Sequence, residues 1–158
     1  MTLRPVQTAP MPVRLATRAI IMKDNRLLVV NAWPPAAKSE LLCAPGGGVE
    51  AGSSLPANLA REVYEETGLR VRVGAVCLIN EFHDPTRPFH QVDIYFRCDV
   101  IDGEVSETWE DPEGIVTDRF WLTRSELEGR KFKPDSLPKV AWQDADAPDY
   151  DPLELLVK

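Results

Sequence analysis

The chain has 158 residues, 44% of them apolar and 27% charged, and carries a formal net charge of -7. That length suits one domain with a sizeable core that needs no disulfide or structural metal. The acidic balance argues against long nucleic acid as a partner, since binding it requires a basic stripe that displaces counterions, and no apolar run reaches the length of a membrane span.

In chain order, residues 1–12 (MTLRPVQTAPMP) lack the apolar core of a signal peptide and read as a flexible arm, with a cytoplasmic location expected. A domain over 13–142 follows. Arg14 to Met22 and Arg26 to Ala32 are rich in β-branched and aliphatic residues, with Lys23-Asp24-Asn25 between them as a hairpin turn. Glu40 to Ala44 is a short strand that ends at Pro45, and Gly46-Gly47-Gly48 reads as a turn after it. A helix is expected from Leu55 to Thr67: Ser54 is its N-cap, Pro56 sits in its first turn and Gly68 takes the C′ position. Val71 to Phe82, Gln91 to Val100 and Val116 to Leu122 read as strands, and Thr123 to Glu128 and Leu137 to Trp142 as short helices. The remainder, 143–158, is an acidic, Pro-containing tail whose apolar tip, Leu153 to Val157, is suited to docking on the body or a partner. This order predicts an α/β fold in which helices cover a mixed sheet.

Cys43, Cys77 and Cys98 are odd in number and lie among apolar neighbours, so they read as small buried hydrophobes in a reducing compartment. His83 and His90 flank a Pro-containing loop without zinc-ligand spacing.

The helix holds the chemistry. At about 100° per residue, with Leu55 at 0°, Leu59 falls near 40° and Val63 near 80°, which defines the core-facing stripe. Glu62 falls near 340° and Glu66 near 20°, at or inside that stripe, while Glu65 stands at about 280°. An Arg61–Glu65 pair on a solvated face accounts for Glu65 alone. Carboxylates clustered beside a core repel one another and lose solvation, a conflict that a divalent cation resolves. Mg²⁺ suits such oxygen donors and shares its shell with substrate phosphates. The glycines permit close backbone approach to a metal or phosphate oxygen. A P-loop is absent, since no G-x-x-x-x-G-K-[ST] occurs.

Gly47, Arg61-Glu62-Val63 and Glu65-Glu66-Thr67-Gly68-Leu69 together resemble the signature of the Nudix hydrolase superfamily, G-x5-E-x7-R-E-U-x-E-E-x-G-U, where U is a bulky aliphatic residue. Ser53 stands where the signature has its early glutamate, and Glu50, three residues before, offers a partial substitute. The resemblance implies an α/β/α sandwich with a mixed central sheet over 13–142. It also implies Mg²⁺- or Mn²⁺-dependent hydrolysis of a nucleoside diphosphate linked to another moiety, by water attack at phosphorus. Glu62, Glu65 and Glu66 then take ligand roles, with Gly47 in the metal set and Arg61 orienting the acids. The expected partner is a small nucleotide-type diphosphate, and homodimer formation is left open.

Members of this family often place a further acid on a separate loop. Here Glu107, Glu110, Asp111 and Glu113 share a loop before the last long strand, and Glu113, beside Gly114, is the first choice as general base, with Glu110 second. Arg87, Phe82 and Trp33 are candidates for holding the substrate, with Phe89 near them. Pro85 has a spacing from the motif that resembles ADP-ribose-hydrolysing members, although shaping its turn is its simpler role. The rival reading, motivated by Ser53 and the apolar tip, is a non-catalytic Nudix-like module that senses a nucleotide.

Overall fold

The computed structural model describes residues 12–143 and 147–158, so nearly all of the expected N-terminal arm lies outside the described residues. The strands are β1 (Val13–Lys23), β2 (Arg26–Asn31), β3 (Leu42–Cys43), β4 (Gly46–Gly48), β5 (Arg70–Asp84), β6 (Phe89–Asp102), β7 (Arg119–Leu122), β8 (Asp149–Tyr150) and β9 (Glu154–Leu155). The helices are α1 (Leu55–Thr67), α2 (Arg124–Glu128) and α3 (Leu137–Trp142).

Asp24 and Asn25 turn the chain from β1 into β2 with φ of 51° and 60°. Two successive positive φ values suit a tight hairpin whose twist matches the strands, and Asn and Asp tolerate them better than most residues. Lys23 pairs with Arg26 across this turn. The sheet is mixed, in the order β3-β2-β1-β6-β5-β8, with β4 also on β1, β7 on β2 and β9 on β5. β1 runs parallel to β6, from Val13 opposite His90 to Ile21 opposite Cys98. β5 and β6 form a long antiparallel pair.

Alternation along the central strands feeds two cores. Ala19, Ile21, Leu28 and Phe96 point to the face covered by α1, where they meet Leu59 and Val63. Ile20, Leu27, Val29, Leu78 and Tyr95 point to the other face, under Leu127, Leu137, Val140 and Ala141 from α2 and α3. Complete burial of a Leu or Val side chain stabilises by about 1.5–3 kcal/mol, so Leu59 and Val63 alone fix the face that α1 presents. The result is the expected α/β fold with helices on both faces of a mixed sheet.

Several local expectations change. The three glycines form β4, with Thr17 opposite Gly47, rather than a free turn. The last long strand begins at Arg119 instead of Val116, because the Thr117 and Asp118 amides are taken by the Asn31 side-chain oxygen. The strands β5 and β6 run on past Phe82 and start before Gln91, so that His83 and His90, flanking the Pro-containing loop, lie opposite each other. The tail adds β8 and β9 to the edge of β5. No helix among the described residues is long and apolar enough to cross a membrane.

Candidate active site

Helix α1 starts and stops where its sequence dictates. The Ser54 side chain accepts from the Ala57 amide, Pro56 occupies the first turn, and Gly68 ends the helix at φ 77°. This frame puts Glu62 and Glu66 at 6% and 8% exposure beside the core, while Glu65 is half-buried.

Glu62, Glu65 and Glu113 each offer a carboxylate oxygen within 4.8 Å of the other two. Two come from one helix and the third from the loop between β6 and β7. Burial pushes the Glu62 carboxyl up from its usual range; Arg61 opposes that rise, and the charges of Glu113 and Glu65 add to it. Arg61 lies among the acids. Its Nη1 donates to both carboxylate oxygens of Glu65, at 3.1 and 3.2 Å, and its Nη2 donates to Glu62 Oε1 at 3.3 Å. The same Nη2 donates to Asn58 Oδ1 at 2.9 Å and stands 3.5 Å from Glu50 Oε1. Glu50 thus reaches the guanidinium, whereas Ser53 Oγ donates to the Ser54 carbonyl at 3.4 Å.

Gly47 lies beneath Glu62. A Cβ at Gly47 would stand 2.6 Å from Glu62 Oε2, so only glycine leaves that carboxylate its place. Glu66 is separate from the three clustered acids. Its Oε2 accepts from the Gly46 amide at 2.8 Å. Burial pushes its carboxyl up to about 8, although Arg18 and the Gly46 hydrogen bond both act to lower it. Glu110 stays exposed and outside the three-acid group.

Trp33, Phe82 and Arg87 line one cavity of about 250 Å³, together with Phe89. Its polar lining forms a chain: Arg14 donates to Gln91 at 2.7 Å, Gln91 donates to Asp93 at 2.6 Å, and Asp93 faces Arg18 at 3.4 Å. Arg18 also donates to the Gly46 carbonyl at 3.4 Å, which links the cavity to the glycine strand and so to the acids behind it. Arg87 is held by Asp84 at 3.0 Å and lies over the Phe89 ring. Glu154, Leu155, Leu156 and Val157 of the tail complete the wall, and Trp33 Nε1 donates to the Val157 carbonyl at 3.2 Å.

Sequence reasoning missed Asn58, Arg18, Gln91 and Asp93. Asn58 is wholly buried; it donates to Thr17 Oγ1 and the Gly48 carbonyl and accepts from the Glu50 amide. Polar residues inside otherwise apolar strand and helix faces were the available signal. The cysteines carry no site: all three are free, and burial raises Cys43 and Cys77 to about 11 and Cys98 to about 12.

The family model for the NUDIX domain matches residues 12–143, and the chain belongs to that family. It is similar to an ADP-ribose pyrophosphatase of Methanocaldococcus jannaschii, at 34% identity over 58% of this chain and 53% of the relative. It is also similar to diphosphoinositol polyphosphate phosphohydrolase 2 of Rattus norvegicus, at 36% identity over 63% of this chain and 50% of that one. The chain spans about half the length of these curated relatives. Among solved structures, a UDP-X diphosphatase superposes with a TM-score of 0.70 at 19% identity, covering 93% of this chain and 71% of the other. A NUDIX hydrolase from Nitrosomonas europaea gives 0.68 at 20% identity, over 82% and 86%. At these identities the two structures speak for the fold alone.

Proposed function

We propose that the protein is a Nudix-type hydrolase that cleaves the diphosphate bond of a nucleoside diphosphate linked to another moiety. The observation that carries this reading is the meeting of Glu62, Glu65 and Glu113 from two separate segments. Three carboxylates brought this close repel one another, and the charges of Glu113 and Glu65 add to the rise that burial gives the Glu62 carboxyl. Hard oxygen donors without thiolate or imidazole fit Mg²⁺ or Mn²⁺. Glu62, Glu65 and Glu113 would hold the cation, with Arg61 fixing the first two. A cation bound there supplies charge neutralisation for the diphosphate and acidity for a bound water.

The protein's own groups do the rest. Glu66 buttresses the glycine strand through the Gly46 amide. Gly47, without a side chain, leaves Glu62 free to face the substrate. Arg14, exposed and hydrogen-bonded to the neutral Gln91, is the cation free to meet the diphosphate, since Arg18 is paired with Asp93, and Trp33, Phe82 and Phe89 would enclose the base.

The relatives' names offer two substrate classes, and the cavity favours a nucleoside over a polyphosphorylated inositol. The latter needs several cations free to meet its phosphates. Here Arg18 faces Asp93, Arg87 is paired with Asp84, and Lys133 stands 2.9 Å from Asp135 and 3.7 Å from Glu154. Aromatic walls suit a planar base.

The test is a hydrolysis screen over ADP-ribose, nucleoside triphosphates, nucleotide sugars and a diphosphoinositol polyphosphate, with Mg²⁺ and with Mn²⁺. Turnover of a nucleoside diphosphate derivative, lost in Glu62→Gln and Glu65→Gln, is the expected result. A preference for the inositol compound overturns the substrate reading. Tight nucleotide binding without turnover under any metal establishes the sensor reading instead.

A further inference from the structure

Glu113 is exposed and lies on a long connection between β6 and β7, yet it meets two acids of a helix it does not belong to. A loop of that length loses considerable conformational entropy when one carboxylate is fixed in space, so other contacts must hold it. They are found at Trp109. Its Nε1 donates to the Glu65 carbonyl at 2.8 Å, on the backbone of the residue whose side chain joins the acid cluster. Its ring meets Tyr64 edge to face, with centroids 5.2 Å apart, and Tyr64 in turn lies under the Arg70 guanidinium. The Trp109 ring also rests on Gly68: a Cβ there would stand 2.9 Å from the indole.

From Asp111 to Val116 the loop is organised by one carboxylate. Asp111 accepts from the Glu113 amide at 3.0 Å, from Ile115 at 3.3 Å and from Val116 at 2.9 Å. Beyond it, the Asn31 side chain donates to the Ile115 carbonyl at 2.7 Å and accepts from Thr117 and Asp118. The span that carries Glu113 is thus pinned to β2 at one end and to the C-terminal turn of α1 at the other. The Trp–Tyr edge-to-face contact and the indole hydrogen bond both favour this placement of the loop.

We propose that Trp109 is a positioning residue: clasped to the end of α1, it holds Glu113 within reach of Glu62 and Glu65, and its loss separates the third acid from the other two. This rests on the active-site reading given above. Trp109 belongs neither to the three-acid group nor to the cavity lining; it acts through Glu113.

A double-mutant cycle tests it on the full chain, with two readouts: Mn²⁺ affinity of the substrate-free protein, from free Mn²⁺ in electron paramagnetic resonance titrations, and the split between kcat and KM. Trp109→Ala is expected to reduce Mn²⁺ affinity or kcat by tenfold or more, following whichever of the two Glu113→Gln affects, with KM within twofold. Trp109→Phe keeps the ring contact, loses the N–H and should fall between. In the Glu113→Gln background Trp109→Ala should add no further loss, because a residue acting through Glu113 has nothing left to position. Losses that simply add, or a Trp109→Phe variant identical to wild type alongside an unaffected Trp109→Ala, overturn the clasp while leaving the site standing. If Glu113→Gln itself changes neither readout, the assignment of Glu113 fails and the clasp falls with it.

Discussion

Glu66 is a carboxyl whose surroundings favour the proton. Burial raises it from about 4.5 to about 8. In the metal-free protein the folded state therefore holds a proton that the unfolded chain has already released. Its contribution to stability is complete below about pH 4.5 and is lost as pH rises through about 8. Gln at this position still accepts from the Gly46 amide and carries no ionisable group. Glu66→Gln is expected to raise the melting temperature of the metal-free protein at pH 8 and above, and to flatten its decline between pH 5 and 8. Parallel melting curves for the two proteins across that interval would show that Glu66 does not titrate as described. Glu50 invites a second comparison. It reaches Arg61 at 3.5 Å while Ser53 is turned to the Ser54 carbonyl. Ser53→Ala should leave turnover within about twofold, whereas Glu50→Gln should lower it several-fold with little change in stability, since an exposed ion pair contributes roughly 0–1 kcal/mol. Equal effects of the two substitutions in steady-state kinetics would deny Glu50 its place beside Arg61.

On the scale of elements, β4 and α1 work as one unit. Gly47 has an ordinary backbone but no room for a Cβ, because Glu62 Oε2 would stand 2.6 Å from it. Gly47→Ala is expected to cost about 1–3 kcal/mol by overpacking and to lower turnover at least tenfold by displacing Glu62. A variant with wild-type kinetics, checked for fold by circular dichroism, would mean that Glu62 moves aside at no cost. The boundaries of α1 were legible in sequence because Ser54, Pro56 and Gly68 each supply a local end signal. The burial of Glu62 and Glu66 followed from helical spacing alone. β4 was not legible: glycines carry no side-chain alternation, and their pairing with Ala16, Thr17 and Arg18 is made entirely by backbone. β8 and β9 escaped for a similar reason, since two-residue strands leave no periodicity. Glu113 was legible in the sequence as a general base, by asking which segment supplies acids beyond the helix; its meeting with Glu62 and Glu65 depends on the fold. Trp109 was not, because its contacts join residues far apart in sequence.

On the scale of the whole molecule, the tail and the sheet share the cavity. Asn80 donates to Asp151 at 3.0 Å and to Glu154 at 3.3 Å, and Ser136 donates to Asp151 at 2.6 Å, so a few polar bonds fasten the tail over Phe82 and Trp33. Asn80→Ala removes two of these donations. It is expected to raise KM several-fold for whichever nucleoside diphosphate derivative the protein turns over, with kcat within about twofold, since the acid cluster is untouched. A fall in kcat at constant KM would detach the tail from substrate binding and tie it to the chemistry.

The seam between β1 and β6 has a different consequence. It joins residues as far apart as Arg14 and Gln91, 77 positions away, in parallel register at the middle of the sheet. Closing so long a stretch of chain is entropically slow, whereas α1 and the β1–β2 hairpin form from near neighbours. On this ground the local piece α1, carrying Glu62, Glu65 and Arg61, is expected to form first, and the sheet and the Glu113 loop to close afterwards. Refolding is therefore expected to be limited at the β1–β6 seam: Ile20→Val or Phe96→Leu should slow the stopped-flow refolding phase more than Glu62→Gln does, and equal rates would place the slow step elsewhere.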